Sequence, residues 1–449
     1  SKMPGAPKNA WITQIRASSY NANEAIVVIN NYRQSDWSAY VYRTKDMGKT
    51  WTRIVNDQQV YGYCLATVQD PVVSNLHFLG TEYGLYVSVD DAKTWNKWTS
   101  GYPTVSTMDL AIQPRDVDLV IGTFGRAVWI LDDIRPLREI AKAGYNTTTS
   151  KDIKAFEAPT AYLTREGEPN GYRSTGDAFY EGENRPFGAM LTYYVKDLQK
   201  AATEKDSVKT SVMVYDNFNK LIRTIKHKPA KGINRIYWGL DIAGERTPDQ
   251  KKPAADAAER GGRSVTPGNY KVVFTYGQHK DSTIVEVKLD PEIQITVSEM
   301  NDKAALIDKL NTLIHDATDK VERHRESKQT HPLILYNLIE REKSDVNNKL
   351  KQLGDSTKSK IDKLILEVNP PEDIQGFSDD PNLVSERLGT ARRYLQDTHF
   401  APTETQRRIL SDTEKKVKPV LDKIDNFFSG DWESFKKAVN DAQFSLFKE

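Results

Sequence analysis

The feature that most constrains the fold is an internal repeat near the start of the chain. Residues 44–51 read Thr-Lys-Asp-Met-Gly-Lys-Thr-Trp, and residues 88–95 read Ser-Val-Asp-Asp-Ala-Lys-Thr-Trp. A second pair of segments supports the same repeat, because residues 80–87 are similar to residues 122–129. Short β-rich runs lie between these marks, and four-stranded propeller blades repeat every ~40–50 residues. The repeat therefore predicts blades of a β-propeller.

Each copy of the repeat predicts a hairpin turn that its own side chains stabilise. The aspartates, Asp46 and Asp90, are expected to accept backbone N–H groups across the turn. Gly48 is expected to adopt the left-handed conformation, and Trp51 and Trp95 to pack between neighbouring sheets. In the second copy Ala92 replaces the glycine, at a cost of about 1 kcal/mol if it is left-handed. Because the motif recurs in each blade, a structural role is favoured over a catalytic one.

The predicted ring is incomplete. Residues 9–134 hold only about three blades, and closed propellers usually have about 4–8. An open ring would leave unpaired strand edges and exposed blade faces. Upstream blades, in the same precursor or in a separate chain, are therefore the expected partner.

The pattern after the repeats predicts two further units and a mixed fold, mainly β plus α. Residues 1–140 are predicted to be C-terminal propeller blades, 141–297 a linker and an immunoglobulin-like β-sandwich, and 298–449 an α-helical bundle. Within the sandwich, residues 216–219 predict a hydrogen-bonded hairpin turn rather than a calcium loop. Residues 244–265, rich in lysine, alanine, aspartate and glycine, are expected to form a mobile insertion.

Apolar residues recur with a helical period in the last unit. A self-contained bundle is favoured over a partner-binding coiled coil, because the loops are short and the registers change. The expected helices are 302–326, a second from His331 to Gly354, a third from Asp380, a fourth after a capping box at Thr403–Gln406 with a kink at Pro419, and a short one at 431–440.

Composition excludes several classes of function. The formal net charge is +1, so no global field attracts nucleic acid, and no apolar run is long enough to span a bilayer. The single cysteine, Cys64, excludes an internal disulfide and reads as a small buried hydrophobe. The seven histidines show no metal-ligand spacing and are expected to be solvated or capping residues. No cofactor or metal site is predicted.

Candidate ligand residues lie beside the predicted strand ends. Arg126 and Trp129, with Tyr83 and Tyr86 in the previous repeat, could form an aromatic and cationic rim together with Glu82. Packing between blades is the favoured interpretation of the same residues. Glycoside hydrolysis needs two carboxylates, for which the candidates near the blade ends are Glu82, Asp109, Asp116, Asp132 and Asp133.

The repeat resembles the Asp box of bacterial neuraminidase-like repeats. Residues 118–134, which include Thr123-Phe124-Gly125-Arg126-Ala127, resemble the propeller-closing stretch of WD40/YVTN/BNR-like or sortilin-type (VPS10-like) propeller proteins, frequent in Bacteroidetes. Phe124 stands where that family usually has histidine. The resemblance implies a place outside the cytoplasm, at the cell envelope or secreted. Such proteins are often labelled glycosyl hydrolases because sialidases share the Asp box, but fold does not decide activity.

Two functions remain open at this point. The first is a non-catalytic binding and scaffold protein whose propeller recognises a peptide, protein or glycan in an envelope or secreted assembly. The second is a glycoside hydrolase whose catalytic carboxylates lie in upstream blades. Three Asp-Ser-Val/Thr sequences also match a bacterial O-glycosylation pattern, with Ser207, Ser282 and Ser356 as attachment points.

Overall fold

The computed structural model describes residues 3–164, 185–199, 208–254, 257–341, 345–371, 380–396 and 400–441. Over these residues the chain is mainly β, with several sheets, followed by a helical region.

The first part of the chain forms three antiparallel sheets whose strands follow one another in chain order. Sheet 1 contains β1 (Trp11–Ala17), β2 (Ala25–Asn31), β3 (Asp36–Thr44) and β4 (Thr52–Arg53). Sheet 2 contains β5 (Cys64–Gln69), β6 (His77–Thr81), β7 (Gly84–Ser88) and β8 (Asn96–Lys97). Sheet 3 contains β9 (Thr107–Gln113), β10 (Asp118–Thr123) and β11 (Val128–Leu131). The β-rich runs expected between the repeat marks fall on these strands.

The three sheets stack through apolar faces. Between sheets 1 and 2, Val28 and Val41 pack in one core with Cys64 and Leu79. Cys64 is fully buried, as predicted, and this burial raises the pKa of its thiol to about 12. A second core joins sheets 2 and 3 and extends to a helix, α1 (Arg135–Ala143), which is followed by a short α2 (Tyr145–Thr149).

The strand connections lie alternately at two opposite edges of this stack. The box edge carries residues 18–24, 44–51, 70–76 and 88–95; here the Met47 N–H donates to the Asn23 carbonyl at 2.9 Å. The aromatic edge carries residues 32–37, 61–63, 82–83, 106 and 124–127; here the Glu82 N–H donates to the Tyr63 carbonyl at 3.2 Å. The two edges carry different chemistry, as described below.

The middle part of the chain contains two sheets that share one hydrophobic core. Its strands are β12 (Ile153–Ala155), β13 (Ala161–Leu163), β14 (Ala189–Val195), β15 (Thr210–Tyr215), β16 (Leu221–His227), β17 (Gly232–Trp238), β18 (Asp241–Ala243), β19 (Gly261–Ser264), β20 (Gly268–Tyr276) and β21 (His279–Leu289). The two sheets have the orders β12-β14-β17 and β13-β21-β20-β15-β16, and β18 pairs with β19. Asp216 accepts the Phe218 and Lys220 N–H groups, each at 2.9 Å, which confirms the predicted hairpin turn.

The described residues of segment 244–265, for which the sequence predicts a mobile insertion, contact the helical region. Helix side chains hold the backbone carbonyls of this segment: Arg325 donates to the Pro248 carbonyl at 3.1 Å, and Thr318 to the Arg246 carbonyl at 2.7 Å. Arg263 also forms an ion pair with Asp308 at 2.6 Å. Composition suggested mobility, but these contacts come from residues more than 40 positions away and leave no local signal.

The helical region contains α3 (Val297–Arg341), α4 (Asp345–Ile365), α5 (Val384–Leu395), α6 (Glu404–Ser429) and α7 (Asp431–Asp441). The Thr403–Gln406 capping box is confirmed, and Pro419 lies inside α6. The predicted break at His331–Pro332 is wrong, because α3 continues through it, and Gly354 lies within α4 rather than at its end. A proline removes one helical hydrogen bond, which a long packed helix can tolerate.

Candidate functional site

The five candidate carboxylates differ in how they are neutralised. Four of them contact an arginine: Asp109 with Arg16 at 3.5 Å, Asp116 with Arg115 at 2.8 Å, Asp132 with Arg185 at 3.5 Å and Asp133 with Arg135 at 2.6 Å. Burial raises the pKa of Asp133 despite its arginine. Glu82 is the exception, because among the described residues it forms no ion pair and its carboxylate accepts hydrogen bonds from two hydroxyl groups.

Glu82 lies at the aromatic edge, in the turn between β6 and β7. Its Oε2 accepts hydrogen bonds from the Tyr63 hydroxyl at 2.6 Å and the Ser106 hydroxyl at 2.8 Å. Burial, and then the bond to Glu82, raise the pKa of Tyr63, so the phenol stays a donor at neutral pH. Because both hydroxyls converge on Oε2, Oε1 is left to accept from a ligand.

Aromatic rings extend from this carboxylate across sheet 1. The Tyr63 ring stacks on Tyr32 with centroids 4.6 Å apart, and Trp37 lies 5.8 Å from Tyr63. The Arg33 guanidinium lies over the Tyr32 ring at 4.8 Å and over the Trp11 ring at 5.2 Å. Trp11 and Trp37 are largely exposed. Tyr63 thus links an exposed aromatic surface to Glu82.

The same edge continues toward sheet 3. Tyr83 lies 4.8 Å from the exposed ring of Tyr61. Gly62 has a φ of +83°, and a Cβ there would lie 2.5 Å from the Tyr83 ring, so only glycine fits. The Phe124 N–H donates to the Ser106 carbonyl at 2.9 Å, and its ring is exposed.

We call this set of side chains the aromatic row. Its members are Trp11, Tyr32, Arg33, Trp37, Tyr61, Tyr63, Glu82, Tyr83, Ser106 and Phe124.

The rim residues predicted from the sequence fall into two groups in the structure, those in the aromatic row and those that pack elsewhere. Glu82 and Tyr83 belong to the aromatic row. Tyr86 is buried between sheets 1 and 2, and only its hydroxyl reaches the edge, where it accepts the Tyr61 N–H at 3.0 Å. Trp129 is half-buried, 5.7 Å from Tyr102, and donates to the carbonyl of Arg126, whose side chain is exposed.

Sequence reasoning missed most of the row. Trp11, Tyr32, Arg33, Trp37 and Tyr63 were not singled out, although the repeat held a signal for one contact. Tyr63 precedes β5 and Ser106 precedes β9, so the two residues hold equivalent places in consecutive sheets. Aligning the residues that enter each innermost strand would have brought both hydroxyls to Glu82.

The box edge uses its carboxylates differently. Asp46 Oδ1 accepts from the Thr44 hydroxyl and the Thr50 N–H, each at 2.9 Å, and Oδ2 accepts from the Thr50 hydroxyl at 2.6 Å. The Thr50 side chain, and then its N–H, lower the pKa of Asp46 to about 2. Asp90 repeats this pattern with Ser88 and Thr94 at 2.7–2.9 Å. Both aspartates are therefore satisfied within their own turns.

The turn conformation also repeats. Met47 and Gly48 have φ values of 59° and 78°, and the equivalent Asp91 and Ala92 have 63° and 61°. Ala92 is thus left-handed, the condition under which its replacement of glycine was expected to be costly. Trp95 is 5% exposed and its Nε1 donates to the Ile54 carbonyl of sheet 1 at 3.0 Å.

The sequence predicted that the histidines are solvated or capping residues, and this prediction is wrong for two of them. His77 and His324 are buried, His77 with Nε2 3.5 Å from Asp91 and His324 with Nε2 3.9 Å from Asp362. The neighbouring acids come from other turns and helices, which spacing alone does not reveal. Within the described ranges, no group of three or more His, Cys, Asp or Glu side chains could hold a metal ion.

Two of the three serines that match the O-glycosylation pattern lie at the surface. Ser282 in β21 and Ser356 in α4 are exposed, whereas Ser207 lies outside the described residues. In the part of the chain that the structure describes, none of the helices has the length and apolar character needed to cross a membrane.

Comparison with known proteins gives little further guidance. No family model and no curated protein matches the chain. Among solved structures, an ancestral GH74 enzyme matches over 49% of this chain and 28% of its own, at 12% identity and a TM-score of 0.21. The GH74 xyloglucanase from Xanthomonas campestris matches over 60% and 38%, at 12% identity and a TM-score of 0.23. The chain therefore spans well under half of either structure, and similarity at this level does not establish a shared fold.

Proposed function

We propose that this chain is part of an incomplete β-propeller that binds a ligand, without catalysis, along the aromatic edge. The observation that carries the proposal is Glu82, the one candidate carboxylate without an arginine partner among the described residues. It lies in the aromatic row, in which Tyr63 is buried and Trp37 and Tyr61 are exposed. Ligand sites typically combine apolar and aromatic side chains with a few oriented polar groups, as this row does.

The stacking of the sheets supports an incomplete ring. In sheet 2, Leu85 and Val87 are 0% and 8% exposed because sheet 3 covers them. The strand pairing shows that Val128 and Ile130 occupy the positions in sheet 3 that Leu85 and Val87 occupy in sheet 2. Val128 and Ile130 are both 60% exposed. A further sheet, from the same precursor or from a separate chain, would bury this face as sheet 3 buries sheet 2.

The rest of the chain is proposed to brace this propeller part. The sheet orders β12-β14-β17 and β21-β20-β15-β16 follow the A-B-E and G-F-C-C′ orders of immunoglobulin-like sandwiches. The sandwich contacts the propeller part through Arg235, which donates to the carbonyls of Asp132 and Asp133 at 2.8 and 3.1 Å. We also propose an extracytoplasmic location, on the family resemblance alone.

A glycoside hydrolase is the second candidate function. Glu82 favours it, because Tyr63 and Ser106 orient a half-buried carboxylate beside a surface suited to sugars. Such an enzyme needs a second carboxylate about 5–9.5 Å away, and the other four candidates carry arginine partners. The second carboxylate would then belong to a further sheet.

Binding and product analysis separate the two functions. The full chain is titrated with panels of soluble oligosaccharides and peptides by calorimetry, and each mixture is then analysed for cleavage products. We expect at least one ligand to bind, Trp37→Ala to weaken it, and no product to form. A product that disappears in Glu82→Gln would replace the binding function with the hydrolase. Binding that is equal in wild type, Trp37→Ala and Glu82→Gln would remove the proposed site.

A further inference from the structure

We infer that the ligand of the aromatic row is a linear, uncharged polysaccharide. This inference rests on the proposed function, and it narrows the ligand from a peptide, protein or glycan to a glycan.

The length of the row favours a chain-like ligand. Its residues come from the edges of three consecutive sheets, with Trp37 on sheet 1, Glu82 on sheet 2 and Phe124 on sheet 3. Stacked sheets lie about 10 Å apart, so the row extends roughly 20 Å. A single sugar or a metabolite would occupy only part of this distance, whereas an extended oligomer would contact all three sheets.

The ring geometry favours sugar over peptide. Trp37 packs against Tyr32 and Tyr63, with centroids 6.3 and 5.8 Å away, yet it is 55% exposed. Such a supported ring offers a fixed face to the C–H groups of a pyranose without losing side-chain entropy. A peptide that adds to a sheet would instead need backbone donors and acceptors from a strand edge, whereas most residues of the row, such as Tyr61, Glu82 and Phe124, lie between strands.

The charges favour an uncharged chain. Glu82 stands at the middle of the row, and its Oε1 can accept hydrogen bonds from sugar hydroxyls. A polyanion would place its own charges beside this carboxylate, which costs binding energy. Arg33 and Glu82 provide one donor and one acceptor group of opposite charge, and the exposed Arg126 at the same edge is a further donor. Sugar hydroxyls can satisfy all three groups.

Affinity electrophoresis of the full chain tests the inference. The gels contain hydroxyethyl cellulose, glucomannan or galactan, and a gel with carboxymethyl cellulose provides the charged counterpart of the first polymer. We expect at least one uncharged polymer to retard the protein, and carboxymethyl cellulose not to. Trp37→Ala should weaken retardation about tenfold, as the loss of one stacked ring predicts. Tyr20→Ala, which removes an exposed ring from the box edge, should not change it.

The results that would contradict the inference differ from those that would contradict the proposed function. If a peptide binds in a Trp37-dependent way and no uncharged polymer does, the inference is wrong and the proposed function stands. Stronger retardation by carboxymethyl cellulose than by hydroxyethyl cellulose also overturns the inference. If neither peptides nor polymers bind, both the inference and the proposed function fail.

Discussion

The two edges of the sheet stack both place carboxylates on tight turns, but the surroundings of these carboxylates differ. At the box edge, Asp46 and Asp90 each use both oxygens within their own turn. At the aromatic edge, Glu82 receives two hydroxyls on one oxygen, and these come from residues 19 and 24 positions away. A carboxylate that its own turn satisfies stabilises the fold, whereas one that is held in place and only half satisfied is available to a ligand. We therefore expect substitutions at the box edge to change stability and those at the aromatic edge to change binding.

The largest effect is expected from the tryptophans of the two boxes. Trp95 is buried between sheets 1 and 2, so Trp95→Ala should lower the free energy of unfolding by about 3–5 kcal/mol. Trp51 is half-buried on the other face of sheet 1, so Trp51→Ala should cost about 1–2 kcal/mol. Urea unfolding of both variants measures the difference. Equal losses would mean that Trp51 is covered as fully as Trp95, which a further sheet on sheet 1 would explain.

A smaller effect is expected from exchanging the left-handed residues. Gly48→Ala should destabilise the chain by about 1 kcal/mol, because its φ of 78° strains a side chain. The van der Waals contact of the new methyl group with the Trp51 ring, at 3.6 Å, offsets only part of this strain. Ala92→Gly relieves a similar strain of about 1–2 kcal/mol, but it loses a buried methyl group and makes the unfolded chain more flexible. The net change for Ala92→Gly should stay within about 0.5 kcal/mol of zero. A marked stabilisation would show that strain outweighs packing in the second box.

The smallest effect is expected on the pH dependence of stability in acid. Hydrogen bonds lower the pKa of Asp46 to about 2, below its unfolded value, so its stabilising contribution is present above about pH 4 and is lost as the pH falls through about 2. Burial opposes the shift at Asp90, but its bonds with Thr94 and Ser88 outweigh it and lower the pKa. Asp46→Asn should therefore flatten the fall of the melting temperature between about pH 4 and pH 2. An unchanged slope would contradict a structural role for this carboxylate.

The sequence was informative wherever the interactions are local. The box turns, the Asp216 hairpin and the Thr403–Gln406 capping box each depend on residues within a few positions of one another, so residue type and spacing predict them. The strands of the first three sheets could be predicted for the same reason, because the spacing of the repeat determines their spacing.

The aromatic row depends instead on the stacking of the sheets. Its contacts join Tyr32 to Tyr63 and Glu82 to Ser106, residues that are distant in the chain and adjacent only after folding. The clamped segment at residues 244–254 was missed for the same reason, since Thr318 and Arg325 approach it from α3. Composition describes a segment by itself and carries no information about such partners.

The most direct test of the division between the two edges compares Asp90→Ala with Glu82→Ala. Each variant is measured for its free energy of unfolding and for its affinity for the ligand found in the titrations. Asp90→Ala should lose about 2–3 kcal/mol of stability, because its charged hydrogen bonds are lost, and should retain its affinity. Glu82→Ala should lose about 1–2 kcal/mol of stability, because the buried Tyr63 hydroxyl loses its acceptor, and most of its affinity. The reverse pattern, with Glu82 needed for folding and Asp90 for binding, would contradict the account.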